Sequence, residues 1–236
     1  MKYLSLAAFA VVMSLSFSSC SKDELQEPEE DDVCVNIEDE ALRNFCYREF
    51  DLDHSGKVST DEAEVVYTIK IDDYTAKKSI KSLKGVDVFW NLETISLENA
   101  VLSDIEVLSS MYNLQAIGLK KCIISNIDAL YKFKNLQSLN ILQCEMPEFD
   151  VSLIPNLTFF SFEGTLMYEL DFSKNHTLQR IKLYPQDPVT LYLPKEMEAH
   201  VLHSSMDVIV DIIYEKTEGY ALQSVTGNPN VSVVYK

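Results

Sequence analysis

Twelve consecutive residues, from Asp51 to Glu62, place oxygen donors at nearly every second position. Asp51, Asp53 and Ser55 offer side-chain oxygens, Lys57 its backbone carbonyl, and Ser59 a ligand that acts directly or through water. Glu62 closes the set with both carboxylate oxygens. Hard oxygens in such number suit Ca²⁺, which takes roughly six to eight of them. Gly56 permits the sharp turn that lets a loop wrap an ion. Val58, the apolar residue at the eighth position, faces inward. A metal-free turn of the same composition is the plain alternative; the complete ligand set favours the cation.

The elements that must hold this loop are legible on either side. Glu38 to Phe50 places Leu42, Phe45, Cys46 and Phe50 near helical spacing, with acidic residues in the first turn. Thr60 to Tyr67 reads as an exiting helix with Ser59 or Thr60 as its cap. The pattern D-x-D-x-S-G-x₅-E between two helices resembles the calcium loop of an EF-hand. That resemblance implies Ca²⁺ as the cofactor, held by Asp51, Asp53, Ser55, Lys57, Ser59 and Glu62. A single loop with no second one to pair with implies a structural brace rather than a switch.

Beyond the loop the chain repeats itself. The pattern apolar-x-x-apolar-x-apolar occurs at Leu92, Ile95, Leu97; Leu114, Ile117, Leu119; Leu136, Leu139, Ile141; Leu157, Phe160, Phe162; and Leu178, Ile181, Leu183. The lead positions 92, 114, 136, 157 and 178 are separated by steps of 22, 22, 21 and 21. A sixth, earlier copy fits Val66, Ile69 and Ile71. In four copies an Asn precedes the lead residue: Asn91, Asn113, Asn135 and Asn156. Such a period marks a leucine-rich-repeat solenoid. Alternation within each unit turns its apolar residues to a core, and stacking makes that core continuous. The segments LSDIEVLSSM and ISNIDALYKF are too short for regular helices and predict 3₁₀-like turns on the convex side.

The run from Leu102 to Ile141 resembles the 22-residue bacterial repeat of the internalin type, and the likeness extends roughly from Leu83 to Leu183. The fourth and fifth units depart from it. ELDFSKNHTLQRIKL is similar to repeats of leucine-rich-repeat proteins from gut-type Bacteroidetes. The helix–loop–helix also resembles the N-terminal module of Bacteroidetes leucine-rich-repeat lipoproteins. The fold class these likenesses imply is α/β: parallel strands on the concave side, 3₁₀-like turns on the convex side, an N-terminal helix–loop–helix cap and a β-rich C-terminal cap. The cap shields the open apolar end of the repeats.

Residues 1–19 read as a secretory signal: Lys2, an apolar stretch from Tyr3 to Phe17, then small residues. Ser18-Ser19-Cys20 resembles a lipobox, which implies lipidation of Cys20 and anchoring to, not spanning of, a membrane. Residues 20–33 form an acidic tether. SKDE after Cys20 resembles the export signal of surface lipoproteins, which implies cell-surface exposure at the outer membrane, with the periplasmic face as the alternative. The remaining boundaries are 34–68 for the cap, 66–185 for the repeats and 186–236 for the C-terminal cap. PVTLYLP, DVIVDIIY and VSVVYK read there as strands. His200 and His203 read as surface residues, because structural zinc wants four ligands. Cys122 and Cys144, three residues beyond the last apolar strand position, read as buried thiols. Cys34 and Cys46 can pair in an oxidising compartment or stay as thiols; connectivity is open.

Acidic residues outnumber basic ones 37 to 20, for a net charge of −17, which argues against nucleic acid. No nucleophile motif, phosphate loop or paired-carboxylate signature points to an enzyme. Binding remains, by a protein or other macromolecular ligand at the concave face. The solvent-facing strand positions favour the C-terminal half, where Phe159, Arg180, Lys182 and Tyr184 supply the aromatic and cationic groups common in interface hot spots. A structural accessory lipoprotein of an envelope complex is the alternative. A carbohydrate-binding accessory protein has little support from the single Trp90.

Overall fold

The computed structural model describes residues 31–72, 78–164, 168–185, 189–193, 199–203, 210–214 and 231–235. The expected signal segment, the lipidation candidate Cys20 and most of the tether lie outside the described residues. The side chains of Tyr184, His200 and His203 do so as well.

The apolar triplets become strands. β1 (Thr68–Ile71), β2 (Thr94–Glu98), β4 (Ala116–Lys120), β6 (Ser138–Leu142), β7 (Phe159–Gly164) and β9 (Arg180–Pro185) lie side by side, each parallel to the next. Their register aligns like with like. Ile69, Ile95, Ile117, Leu139, Phe160 and Ile181 form one buried row, and Ile71, Leu97, Leu119, Ile141, Phe162 and Leu183 the next. A one-residue slip would turn both rows to water, so the apolar pattern enforces the register. The sixth copy of the motif is therefore a true member, since β1 pairs with β2.

The segments between strands are 3₁₀ turns at Val86–Val88, Glu106–Ser110, Asp128–Lys132 and Val151–Leu153. They bury Val86, Leu108, Leu130 and Val151 against the same core. Two further strands were not expected. β3 (Val101–Asp104) and β5 (Ile123–Asn126) pair in parallel as a separate small sheet. Each lies just beyond a residue in the left-handed region: Asn99 (φ 58°), Lys121 (φ 51°) and, one unit on, Gln143 (φ 54°). That bend recurs at one place per unit and turns the chain out of the main strand.

Beyond β9 the parallel order of the main sheet stops. β12 (Val210–Tyr214) pairs antiparallel with β9, and β11 (Ala199–His203) antiparallel with β12. β10 (Val189–Leu193) joins β8 (Glu169–Asp171) and β13 (Val231–Tyr235) in a three-stranded parallel sheet. The three C-terminal runs rich in β-branched and aromatic residues thus each contain a strand.

At the other end, α1 (Glu40–Phe50) is capped by the Asp39 carboxylate, which accepts the Leu42 N–H at 2.9 Å. It buries Leu42, Phe45 and Cys46. Phe50 reaches the ring of Phe89, centroids 5.1 Å apart, and so joins this segment to the repeat core. Gly85 (φ 89°) lets the backbone of Asn36 and Ile37 approach closely; a Cβ there would meet the Asn36 carbonyl oxygen at 2.6 Å.

Candidate functional site

The loop between α1 and α2 (Thr60–Glu64) gathers the expected acids. Carboxylate oxygens of Asp51, Asp53 and Glu62 all lie within 4.8 Å of one another, a group that can hold a metal ion. Backbone N–H groups point inward at them. Asp51 accepts from Ser55 and Gly56, each at 2.9 Å, and Asp53 accepts from Ser55 at 2.9 Å. His54 (φ 62°) and Gly56 (φ 84°) supply the left-handed turns this needs. The Ser55 hydroxyl and the Lys57 carbonyl sit 3.5 Å apart, which puts both of those expected donors on the same turn.

Glu62 does double duty. Its Oε1 accepts the Leu52 N–H at 2.6 Å, across the loop, while Oε2 accepts the Ser59 N–H at 2.9 Å. The Ser59 hydroxyl accepts the Glu62 N–H in return, completing a capping box for α2. Ser59 is buried and engaged in that box. The helix it caps ends at Glu64, short of the expected Tyr67, because residues 68–71 are drawn into β1. Burial of the Glu62 head works against its charge, but the N–H bonds from Ser59, Leu52 and Asp53 outweigh it and lower its pKa. The N–H and hydroxyl of Ser55 lower that of Asp53. The site is thus a set of hard oxygens in a preformed turn, a donor set that fits Ca²⁺.

One neighbour of the loop was not foreseen. Val58 exposes a backbone N–H and C=O at the eighth position, and residues 32–33 take up both. The Val33 N–H donates to the Val58 carbonyl at 2.9 Å, and the Val58 N–H donates to Asp32 at 3.4 Å. Asp32 also accepts from the Tyr47 hydroxyl at 2.6 Å and from the Cys34 N–H at 3.1 Å. Burial, with Asp32 as acceptor and negative neighbour, pushes the Tyr47 phenol up to about 12. Cys34 and Cys46 lie close by. Both are fully buried free thiols, and contact with Cys34 together with burial pushes the Cys46 thiol up.

The face of the main sheet turned away from the core carries three rows. The central one runs Lys70, Ser96, Gly118, Asn140, Ser161, Lys182. At the spacing of neighbouring strands it is roughly 24 Å long, and between its terminal lysines only Asn140 exceeds serine in size. The Asn140 Oδ1 is buried and has no hydrogen-bond partner among the described residues. On one side lie Thr94, Ala116, Ser138, Phe159 and Arg180. On the other, Glu98 binds Lys120 at 2.9 Å and Lys121 at 3.4 Å, and these bonds, Lys120 first, lower the Glu98 pKa. Phe159, Arg180 and Lys182 thus share one patch on β7 and β9, with Phe159 half-buried and Arg180 exposed. Tyr184 pairs with Glu163 through the backbone; its side chain lies outside the described residues.

The Asn residues preceding the lead positions form a ladder. Each amide Nδ2 donates to a carbonyl one unit earlier: Asn91 to Glu64, Asn113 to Trp90, Asn135 to Tyr112 and Asn156 to Lys134, at 2.7 to 3.3 Å. Trp90 and Tyr112, each two residues before a lead Leu, stand one step apart on this edge and are 41% and 77% exposed. Their shared 22-residue spacing was the available signal. Of the two thiols expected to be buried, Cys122 is, and donates to the Leu97 carbonyl at 3.4 Å. Cys144 is only half-buried.

No family model matches the chain, and no curated protein does. Among solved structures it resembles an internalin (inlF) of Listeria monocytogenes with a TM-score of 0.53 at 20% identity, over 70% of this chain and 52% of the internalin. The match therefore spans about half the length of that protein. Internalin C2 of the same organism aligns over 88% of this chain and 97% of its own, at 12% identity and a TM-score of 0.46. Together with the strand register and the Asn ladder, the inlF likeness shows a leucine-rich-repeat fold, α/β with a parallel sheet.

Proposed function

We propose that this chain is a non-enzymatic binding lipoprotein, anchored at the cell surface through Cys20, whose repeats engage a protein through the concave face of the main sheet. One structural Ca²⁺ at Asp51, Asp53, Ser55, Lys57, Ser59 and Glu62 braces the N-terminal cap. The single observation that carries the binding reading is Asn140. A buried amide oxygen without a partner costs about 1–3 kcal/mol, and this one sits in a row of small side chains that is half-buried at Ser96, Gly118 and Asn140 and closes at the buried Ser161. An incoming N–H or O–H donor would satisfy it. The leucine-rich-repeat fold supports the same reading, since internalin-type neighbours share the sheet, and Phe159 and Arg180 add an aromatic and a cationic anchor beside the row.

The test is site-specific photo-crosslinking on cells expressing the chain. A crosslinker at Ser138 should give a discrete protein adduct that disappears when Gly118→Trp fills the row. A crosslinker at Ser109, on a 3₁₀ turn, should give none. Adducts that survive Gly118→Trp would remove the concave face from the proposal.

A second reading, an accessory lipoprotein of an envelope complex, draws on the exposed Trp90–Tyr112 pair, an apolar patch away from the sheet face. It predicts that adducts arise from a crosslinker at Gln115, beside Tyr112, and not from Ser138.

A further inference from the structure

Cys122 and Cys144 occupy the same place in consecutive units, each one residue after the left-handed Lys121 and Gln143. Backbone pairing brackets them: Lys120 pairs with Leu142 on one side, and Ile123 bridges Glu145 on the other. They are therefore register partners in neighbouring parallel segments, with Cα atoms roughly 4.8 Å apart. A disulfide spans Cα separations of roughly 4.4–6.8 Å. The Cys122 N–H donates to the Cys144 Sγ at 3.4 Å. The equivalent position one unit earlier is Ala100, so the sulfur column begins at Cys122.

Access separates this pair from the other. Cys34 and Cys46 are both fully enclosed, whereas Cys144 is half-open to solvent with Cys122 directly behind it. An entering reagent can reach one sulfur and find the second in place to finish the exchange.

We propose that Cys122 and Cys144 form a reversible dithiol–disulfide site that cross-links two central repeats by exchange with an incoming disulfide. The Cys144 thiolate attacks that disulfide, forms a mixed disulfide and expels one thiolate. The Cys122 thiolate then attacks the Cys144 sulfur, closes the cross-link and expels the second. The two cysteines lose two electrons, the incoming disulfide is reduced to two thiols, and the two protons leave with them. Contact with Cys144 lowers the Cys122 pKa and raises that of Cys144, so the Cys122 thiolate is placed to take up the Cys144 proton as Cys144 attacks. Closing the loop between residues 22 apart restricts the unfolded chain and stabilises the oxidised form.

The experiment equilibrates the purified chain with mixtures of oxidised and reduced glutathione, then maps peptides without reduction. The expected result is a linked peptide pair containing Cys122 and Cys144, formed before any product carrying Cys34 or Cys46. The unfolding midpoint should rise by about 5 °C and return on reduction. In Cys144→Ser, Cys122 should resist modification. The proposal is overturned if both sulfurs stay alkylatable after equilibration, if glutathione remains on Cys144 unresolved, or if Cys122 in Cys144→Ser takes glutathione at the wild-type rate. None of these outcomes bears on the concave face.

Discussion

The central units and the N-terminal segment share one core but are held by different forces. From Thr94 to Leu142 the chain advances by identical steps. Each strand residue lies beside its counterpart, each Asn amide reaches the preceding unit, and the sheet-face contacts are small. Burial and a backbone ladder do the holding, and neither depends on charge. From Asp32 to Val66 the backbone is instead gathered by carboxylates. Asp32, Asp39, Asp51, Asp53 and Glu62 each accept at least one backbone N–H. Repetition lets a unit satisfy itself against its neighbour. A terminal segment has no such neighbour on one side, and here acidic side chains fill that role.

That contrast can be broken most directly in the core. Leu139 is fully buried in the core row that runs from Ile69 to Ile181. Leu139→Ala should cost about 3 kcal/mol, read as a fall in the urea midpoint, with the same loss in Ca²⁺ and in chelator. A cost that depended on Ca²⁺ would mean that the two regions are not held separately. The second test falls on the loop. A cation that binds only the folded chain stabilises it by about 2.7 kcal/mol at a hundredfold excess over its dissociation constant. Ca²⁺ should therefore raise the thermal midpoint of the wild type but not of Asp51→Ala, Glu62→Ala. Equal response of both proteins would reduce the loop to a metal-free turn.

Much of this division was readable in advance, and the unread parts have a common cause. The period, the six strands and the residues lining the core follow from side-chain alternation, which is local. The Asn preceding four of the five lead Leu residues announced itself by recurrence, as did the loop acids by their spacing. The bend at Asn99, Lys121 and Gln143 did not, because three unlike residues adopt the left-handed region there and none is Gly. β3 and β5 were hidden because only pairing with each other makes them strands. The clamp by Asp32 was hidden because its partners Tyr47 and Val58 are 15 and 26 residues away. Asn140 was legible as a sheet-face residue, but its missing partner depends on what surrounds it.

The Asn ladder offers a finer comparison within the repeats. Asn135 donates to the Tyr112 carbonyl at 2.9 Å, so Asn135→Ala should cost about 1 kcal/mol, seen as a smaller midpoint shift than that of Leu139→Ala. A loss as large as the core substitution would make the ladder, rather than burial, the main tie between units.

The smallest effect belongs to Tyr47, and pH isolates it. Its phenol is held at about 12 against an ordinary 10.0 by burial and by Asp32. A raised folded pKa means that the contribution is complete below the unfolded value and is lost as pH rises towards the folded one. Between those values the unfolded chain releases this proton while the folded chain keeps it. The wild-type midpoint should therefore fall more steeply than that of Tyr47→Phe across that alkaline window. Below it the two curves should run parallel, offset only by the lost bond to Asp32. If they stay parallel through the window, the hydroxyl is not confined by Asp32, and the acidic clamp on Val58 would have to stand without Tyr47. A steeper wild-type fall would tie the clamp on the loop's eighth residue to the Tyr47 hydroxyl.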